Sequence, residues 1–223
     1  MTFRSKLQYF LVKKLRISNK KACHLIETGQ IEMNGNVIFS NIEITETDSI
    51  KYENVILQKA KKIIYIAYYK PRGIETTLNI NIENNLFDAL QLIESVFPVG
   101  RLDKESEGLL LLTNNGKIFD KTLRAENNIE KEYLVTVDKQ ITEYFICQMA
   151  DGVIIMGQKT KKAVVEKLTD FEFRIILTQG LNRQIRRMCY KLGYEVEKLI
   201  RIRIGPVLLG DLAPSEIRYF DYT

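Results

Sequence analysis

The stretch Val99-Gly100-Arg101-Leu102-Asp103-Lys104-Glu105-Ser106-Glu107-Gly108-Leu109-Leu110-Leu111-Leu112-Thr113-Asn114-Asn115-Gly116 sets a polar loop between two apolar segments. The patch Val96–Val99 precedes it, and Leu109–Leu112 reads as a buried strand that closes on an Asn115-Gly116 turn. Gly100 and Gly108 bracket the loop and permit sharp backbone conformations. Arg101 and Asp103 thus fall between two segments that a core would hold still, where a carboxylate can be kept firmly in place. Taken alone, an aspartate in a loop is most often a cap or turn residue, so its meaning has to come from its surroundings.

Upstream, Ile63 to Tyr69 is an apolar, aromatic run that reads as a buried strand, broken by a turn at Lys70-Pro71-Arg72-Gly73. Downstream, Lys131-Glu132-Tyr133-Leu134-Val135-Thr136-Val137 alternates as a strand with Tyr133, Val135 and Val137 on one face. A tyrosine on such a face is usually packing, but at the start of a strand beside Lys131 its ring can be offered to a base. A third piece is a strand over Phe173–Leu177, a turn at Gly180, and a helix with Asn182 as its expected cap. Ile185, Met188, Cys189 and Leu192 form the apolar stripe of that helix, and Gly193 closes it. Arg186 lies about 100° from Ile185 on an ideal helix, at the border of the stripe, within reach of a partly buried carboxylate. Arg183 and Arg187 face solvent or phosphate, and Cys189 belongs to the core rather than to nucleophilic chemistry.

Charge separates the chain into two parts. Residues 1–62 hold 11 Lys/Arg against 6 Asp/Glu, which accounts for the whole formal net charge of +5. Within that first part Ser18 can cap a helix carrying Ala22, Leu25 and Ile26, Gly29 can end it, and Asn34-Gly35 signals a hairpin. Lys13, Lys14, Lys20 and Lys21 lie away from the apolar stripes and are the candidate polyanion contacts, against the plainer reading of a solvated basic face. The expected organisation is a small domain over 1–57, a linker over 58–62, and a larger domain over 63–223.

Composition removes whole classes of chemistry. With one histidine, His24, and three cysteines, Cys23, Cys147 and Cys189, no ordinary zinc spacing can be read, and a Ser-His-Asp or Cys-His unit would have to use His24. No cofactor and no metal are expected. The chain lacks a secretory signal pattern and an apolar run of about 18 residues, so no membrane partner is expected, and the cysteine usage reads as cytoplasmic.

Residues 4–57, with the segments LIETGQIEMNG and ITETDSIKY, resemble the small RNA-binding domain first seen in ribosomal protein S-four. VGRLDKESEGLLLLTNNG, EKEYLVTV and QGLNRQIRRM, in that order, resemble the RsuA/RluB/RluE/RluF group of ribosomal RNA pseudouridine synthases, nearest its F-type large-subunit branch. That resemblance implies an α+β fold: a mixed, mainly antiparallel sheet with flanking helices behind an S-four-like domain. It implies isomerisation of uridine to pseudouridine in ribosomal RNA, with 23S RNA as the expected partner; action as a monomer is expected, with nothing in the sequence excluding self-association. By matching position, Asp103 resembles the catalytic aspartate and Arg101 the residue that helps displace the target base. Tyr133 resembles the aromatic that stacks on the flipped uracil, and Arg186 the basic partner of the aspartate. Lys131, Arg183 and Arg187 are expected on RNA, while Ile185, Gly100 and Leu102 support the site. The alternatives are a non-catalytic RNA-binding or ribosome-assembly factor, and a synthase for small-subunit or transfer RNA.

Overall fold

The computed structural model describes residues 6–90, 96–115 and 128–221, so Gly116 of the expected Asn115-Gly116 turn lies outside the described residues. Two compact units result, Met1–Ile63 and Ile64–Thr223.

The first unit pairs helices α1 (Leu7–Leu15) and α2 (Asn19–Glu27) with a four-stranded antiparallel sheet. Its strands β1 (Ile31–Met33), β2 (Asn36–Ile38), β3 (Ile50–Tyr52) and β4 (Val55–Gln58) run in the order β2-β1-β3-β4. The Ser18 side chain accepts the Lys21 N–H at 3.2 Å, so this helix start is capped as its sequence suggests. Asn34 and Gly35 both take positive φ, 52° and 84°, the pairing a tight two-residue hairpin demands. Leu7, Leu11, Ala22, Leu25, Ile26, Ile31, Ile50 and Leu57 close the core. Gln58 belongs to β4 and donates to the carbonyls of Thr45 and Asp48; residues 59–64 then run without regular structure.

The second unit is built on one mixed sheet. Its strands are β5 (Tyr65–Lys70), β6 (Phe97–Val99), β7 (Glu107–Thr113), β8 (Lys131–Val137), β11 (Val164–Lys167), β12 (Glu172–Leu177), β13 (Val196–Ile204), β14 (Val207–Leu208) and β15 (Ile217–Tyr219). The short hairpin β9 (Ile154–Ile155) and β10 (Gln158–Lys159) stands apart. The main order is β11-β12-β8-β13-β7-β5-β15, with β6 beside β7 and β14 beside β13. Among the described residues every strand pair of that sheet is antiparallel except β13 with β7, which touch through Ile200 opposite Glu107 and Arg201 opposite Gly108. The α+β class and the mainly antiparallel sheet are thus as expected.

Helices α3 (Leu86–Leu90), α4 (Glu143–Asp151) and α5 (Gln184–Lys191) complete the unit. Val135 and Val137 of β8, Phe173 and Ile175 of β12, Phe145 and Met149 of α4, and Ile185, Met188 and Cys189 of α5 share one core. Burial pushes the Cys189 thiol up to about 12, as befits a packing residue. The parallel contact depends on Gly108, whose φ is +104°: a Cβ there would stand 2.4 Å from the Arg201 carbonyl oxygen. No helix among the described residues is long and apolar enough to cross a membrane.

Candidate active site

Between β6 and β7 the chain turns at Gly100, φ +83°, and crosses residues 101–106 before re-entering the sheet. This crossing is gripped from several sides. The buried Thr76 hydroxyl donates to the Leu102 carbonyl at 2.6 Å and accepts the Leu102 N–H at 3.3 Å. The Gly73 N–H reaches the Lys104 carbonyl at 2.8 Å, and the Ser106 N–H closes back on the Asp103 carbonyl at 3.0 Å. From β13, Arg201, only 3% exposed, sends Nε to the Leu109 carbonyl at 2.7 Å and Nη1 to the Arg101 carbonyl at 3.2 Å. From α5, Arg186 Nη2 takes the Glu105 carbonyl at 3.0 Å while Nη1 takes that of Val196 at 2.9 Å. The backbone on both sides of Asp103 is therefore fixed, while its half-buried carboxylate makes no hydrogen bond or ion pair among the described residues.

Asp103 lines a cleft of about 540 Å³. Arg101, Lys131, Tyr133, Arg183, Arg186 and Arg201 share the lining, and Asp103 is its only carboxylate among the described residues. Gly100, Leu102 and Ile185 also border the space. Tyr133 stands directly across from Arg201 on the neighbouring strand, so both project from the same face of the sheet. Burial, reinforced by the Arg201 charge, holds the Lys131 amine below its ordinary range. No group of three His, Cys, Asp or Glu side chains among the described residues is gathered in a metal-binding arrangement.

Two local expectations are corrected. Asn182 does not cap α5: Arg183 occupies the cap position with φ 50°, and the Asn182 amide oxygen accepts from Arg187 Nη2 at 3.2 Å instead. Lys70 belongs to β5 rather than to the following turn. It is fully buried, and its Nζ donates to the carbonyls of Pro71 and Ile74, both at 2.8 Å. Arg186, expected to reach a carboxylate, spends its bonds on the two carbonyls above and on Ser106 Oγ at 3.5 Å. Arg187 is exposed and is not part of the cleft lining; Lys13, Lys14, Lys20 and Lys21 are exposed on the first unit.

The sequence profile of RNA pseudouridylate synthases matches residues 64–191. The dual-specificity RNA pseudouridine synthase RluF of Escherichia coli K12 is 46% identical over 90% of this chain and 70% of its own length. The chain belongs to the RNA pseudouridylate synthase family. An RNA pseudouridine synthase of Aquifex aeolicus is 30% identical over 96% of this chain and 91% of its own length. Among solved structures, a pseudouridylate synthase crystal structure superposes with a TM-score of 0.66 at 27% identity, covering 97% of this chain and 96% of that one. The synthase isomerises uridine to pseudouridine in RNA, and its cleft has the charge that an RNA substrate requires.

Sequence reasoning missed three residues of this synthase: Arg201, Thr76 and Lys70. For Arg201 a signal existed. Leu199 and Arg201 are two apart in an apolar strand and so share a face, which places the arginine beside buried side chains. Thr76 and Lys70 had no local signal, because their roles arise only when the 70–76 turn packs against the 101–106 crossing.

Proposed function

We propose that this synthase modifies a uridine in large-subunit (23S) ribosomal RNA, with Asp103 as its essential catalytic group. One observation carries the residue assignment: a firmly held, unpartnered carboxylate is the only one among the described residues that line a cleft bearing five cationic side chains. The reaction breaks the bond from uracil N1 to the ribose anomeric carbon and forms one from C5. The C5 proton leaves and N1 gains one, so nothing is oxidised or reduced. The target base must first leave its stack, at a cost of roughly a few kcal/mol. Arg101, exposed at the cleft edge, fills the vacated space, and Tyr133 stacks on the extruded uracil. Asp103 then acts on the ribose, either as nucleophile at the anomeric carbon or as base towards a glycal. Arg186 and Arg201 hold the loop that presents it.

The exposed lysines of the first unit, Lys13, Lys14, Lys20 and Lys21, and Lys131, Arg183 and Arg187 of the second, supply the phosphate contacts in this reading. The test incubates the protein with unmodified 23S transcript and maps carbodiimide-dependent reverse-transcription stops. A new stop with wild type that vanishes with Asp103→Asn is expected. No stop, or a stop undiminished by that substitution, overturns the proposal. Transfer RNA, the alternative substrate weighed from the sequence, is run beside ribosomal RNA in the same assay.

A further inference from the structure

At the rim of the cleft, Glu105 stands within a group of arginines. Arg183 Nη2 holds its carboxylate at 2.9 Å, and Arg186 Nη2 holds its backbone carbonyl at 3.0 Å. Arg72 belongs to the same group by geometry. Its neighbour Gly73 is bonded to the Lys104 carbonyl, and its own Nη1 reaches the Glu197 carbonyl at 3.4 Å, next to the Val196 carbonyl that Arg186 holds. The side chains of Arg183 and Glu105 are 40% and 54% exposed, so an incoming group can reach both. Hydrogen bonding from Arg183, then its charge and those of Arg186 and Arg72, hold the Glu105 carboxyl below the usual carboxylate range. Arg183 thus holds the surface carboxylate directly, Arg186 holds the backbone that carries it, and Arg183 and Arg186 continue into the cleft lining.

A carboxylate and a phosphodiester present the same pair of anionic oxygens to a guanidinium, and arginine pairs with either. We propose that Arg183 and the exposed Arg72, with the Arg186 charge behind them, form a binding site for an RNA backbone phosphate at the cleft rim, and that the Glu105 carboxylate occupies this site until RNA displaces it. Glu105 is then a built-in competitor. It keeps the arginines ordered in the free protein and weakens any RNA that does not reach deep enough to exchange with it. The inference rests on the RNA substrate read above and adds to the Arg183 contact a second cation, Arg72, and a named displaced group, Glu105.

A double-mutant cycle tests it. Apparent affinity for unmodified 23S transcript is measured by filter binding across a salt titration for wild type, Glu105→Gln, Arg183→Ala and the double variant. Glu105→Gln is expected to tighten binding about threefold to tenfold, and Arg183→Ala to weaken it and reduce the salt slope by about one. In the Arg183→Ala background the gain from Glu105→Gln is expected to shrink below about twofold, since the competitor no longer has its partner. An equal gain in both backgrounds means a general charge effect and overturns the proposal, as does no gain in either. Arg183→Gln, which removes the charge but keeps a polar side chain of similar length, gives the same comparison if the alanine variant fails to fold. Conversion of the transcript is scored in the same tubes: no conversion by wild type overturns the proposed target and leaves the binding cycle to decide the phosphate site.

Discussion

Strand β8 contributes to two charged clusters of opposite design. On one face Glu132 is buried and receives Arg203 Nε at 2.6 Å and Arg174 Nη1 at 3.1 Å. Arg203 also meets Glu130 at 2.9 Å, and Arg174 meets Glu166 at 2.6 Å. Burial alone would raise the Glu132 pKa, but the hydrogen bonds from Arg203 and Arg174 outweigh it and hold the carboxyl below its ordinary range. On the other face Lys131 and Tyr133 look into the cleft, where cations outnumber carboxylates and bond to backbone carbonyls. A balanced cluster answers its own charges and serves the architecture. An unbalanced one is complete only when an anionic substrate arrives.

Substitutions that exchange stability for activity separate the two faces. Asp103→Asn is expected to lower conversion by about a thousandfold or more and to leave the urea midpoint unchanged, because no partner is lost. The contrary result, lost stability with retained turnover, would place Asp103 among the architectural charges. Arg201→Met is expected to remove about 3 kcal/mol of stability in urea unfolding, since two carbonyls lose a charged donor. Glu132→Gln is expected to cost about 2 kcal/mol at pH 7 and to leave turnover per folded molecule intact. With a depressed carboxyl pKa, that contribution is fully present above the unfolded value near 4.3 and is lost as pH falls through the folded value. The acid limb of a stability-versus-pH curve should therefore flatten in the variant.

Lys70 gives the most specific effect, a change of slope confined to alkaline pH. Burial lowers its amine to about 8, and the neighbouring Arg201 charge acts in the same direction, against Glu75, Glu107 and Asp103. Between pH 8 and the unfolded value near 10.4, the folded chain has released this proton while the unfolded chain keeps it. Stability should therefore rise with pH across that window in wild type. Lys70→Met should abolish this rise; a slope that survives the substitution would assign the proton to another group.

The parts of the molecule that were legible in the sequence were those written in local pattern. The Ser18 cap, the Asn34-Gly35 hairpin and the alternation of Tyr133, Val135 and Val137 each need only neighbours in the chain, and each is found as read. Arg101, Asp103, Tyr133 and Arg186 were recognisable as motif residues, and they border one cleft. What could not be read is how that cleft is held. Arg201 and Arg101 are 100 residues apart, and Thr76 and Leu102 are 26 apart, so neither bond leaves a periodic trace. Asn182 misled because its preference for a cap was real but local, and Arg187 claims its side chain once the helix forms.

The narrow parallel contact at Gly108 and Arg201 also has a consequence in time. A chain made from its N-terminus exposes Asp103 long before Arg201 is synthesised, and until then nothing ties Arg101 and Leu109 to the far half of the sheet. The nascent protein therefore carries the Asp103 carboxylate, its loop not yet tied down, while β8 through most of β13 is still being made. The loop is tied down in one late step, when β13 slots between β8 and β7.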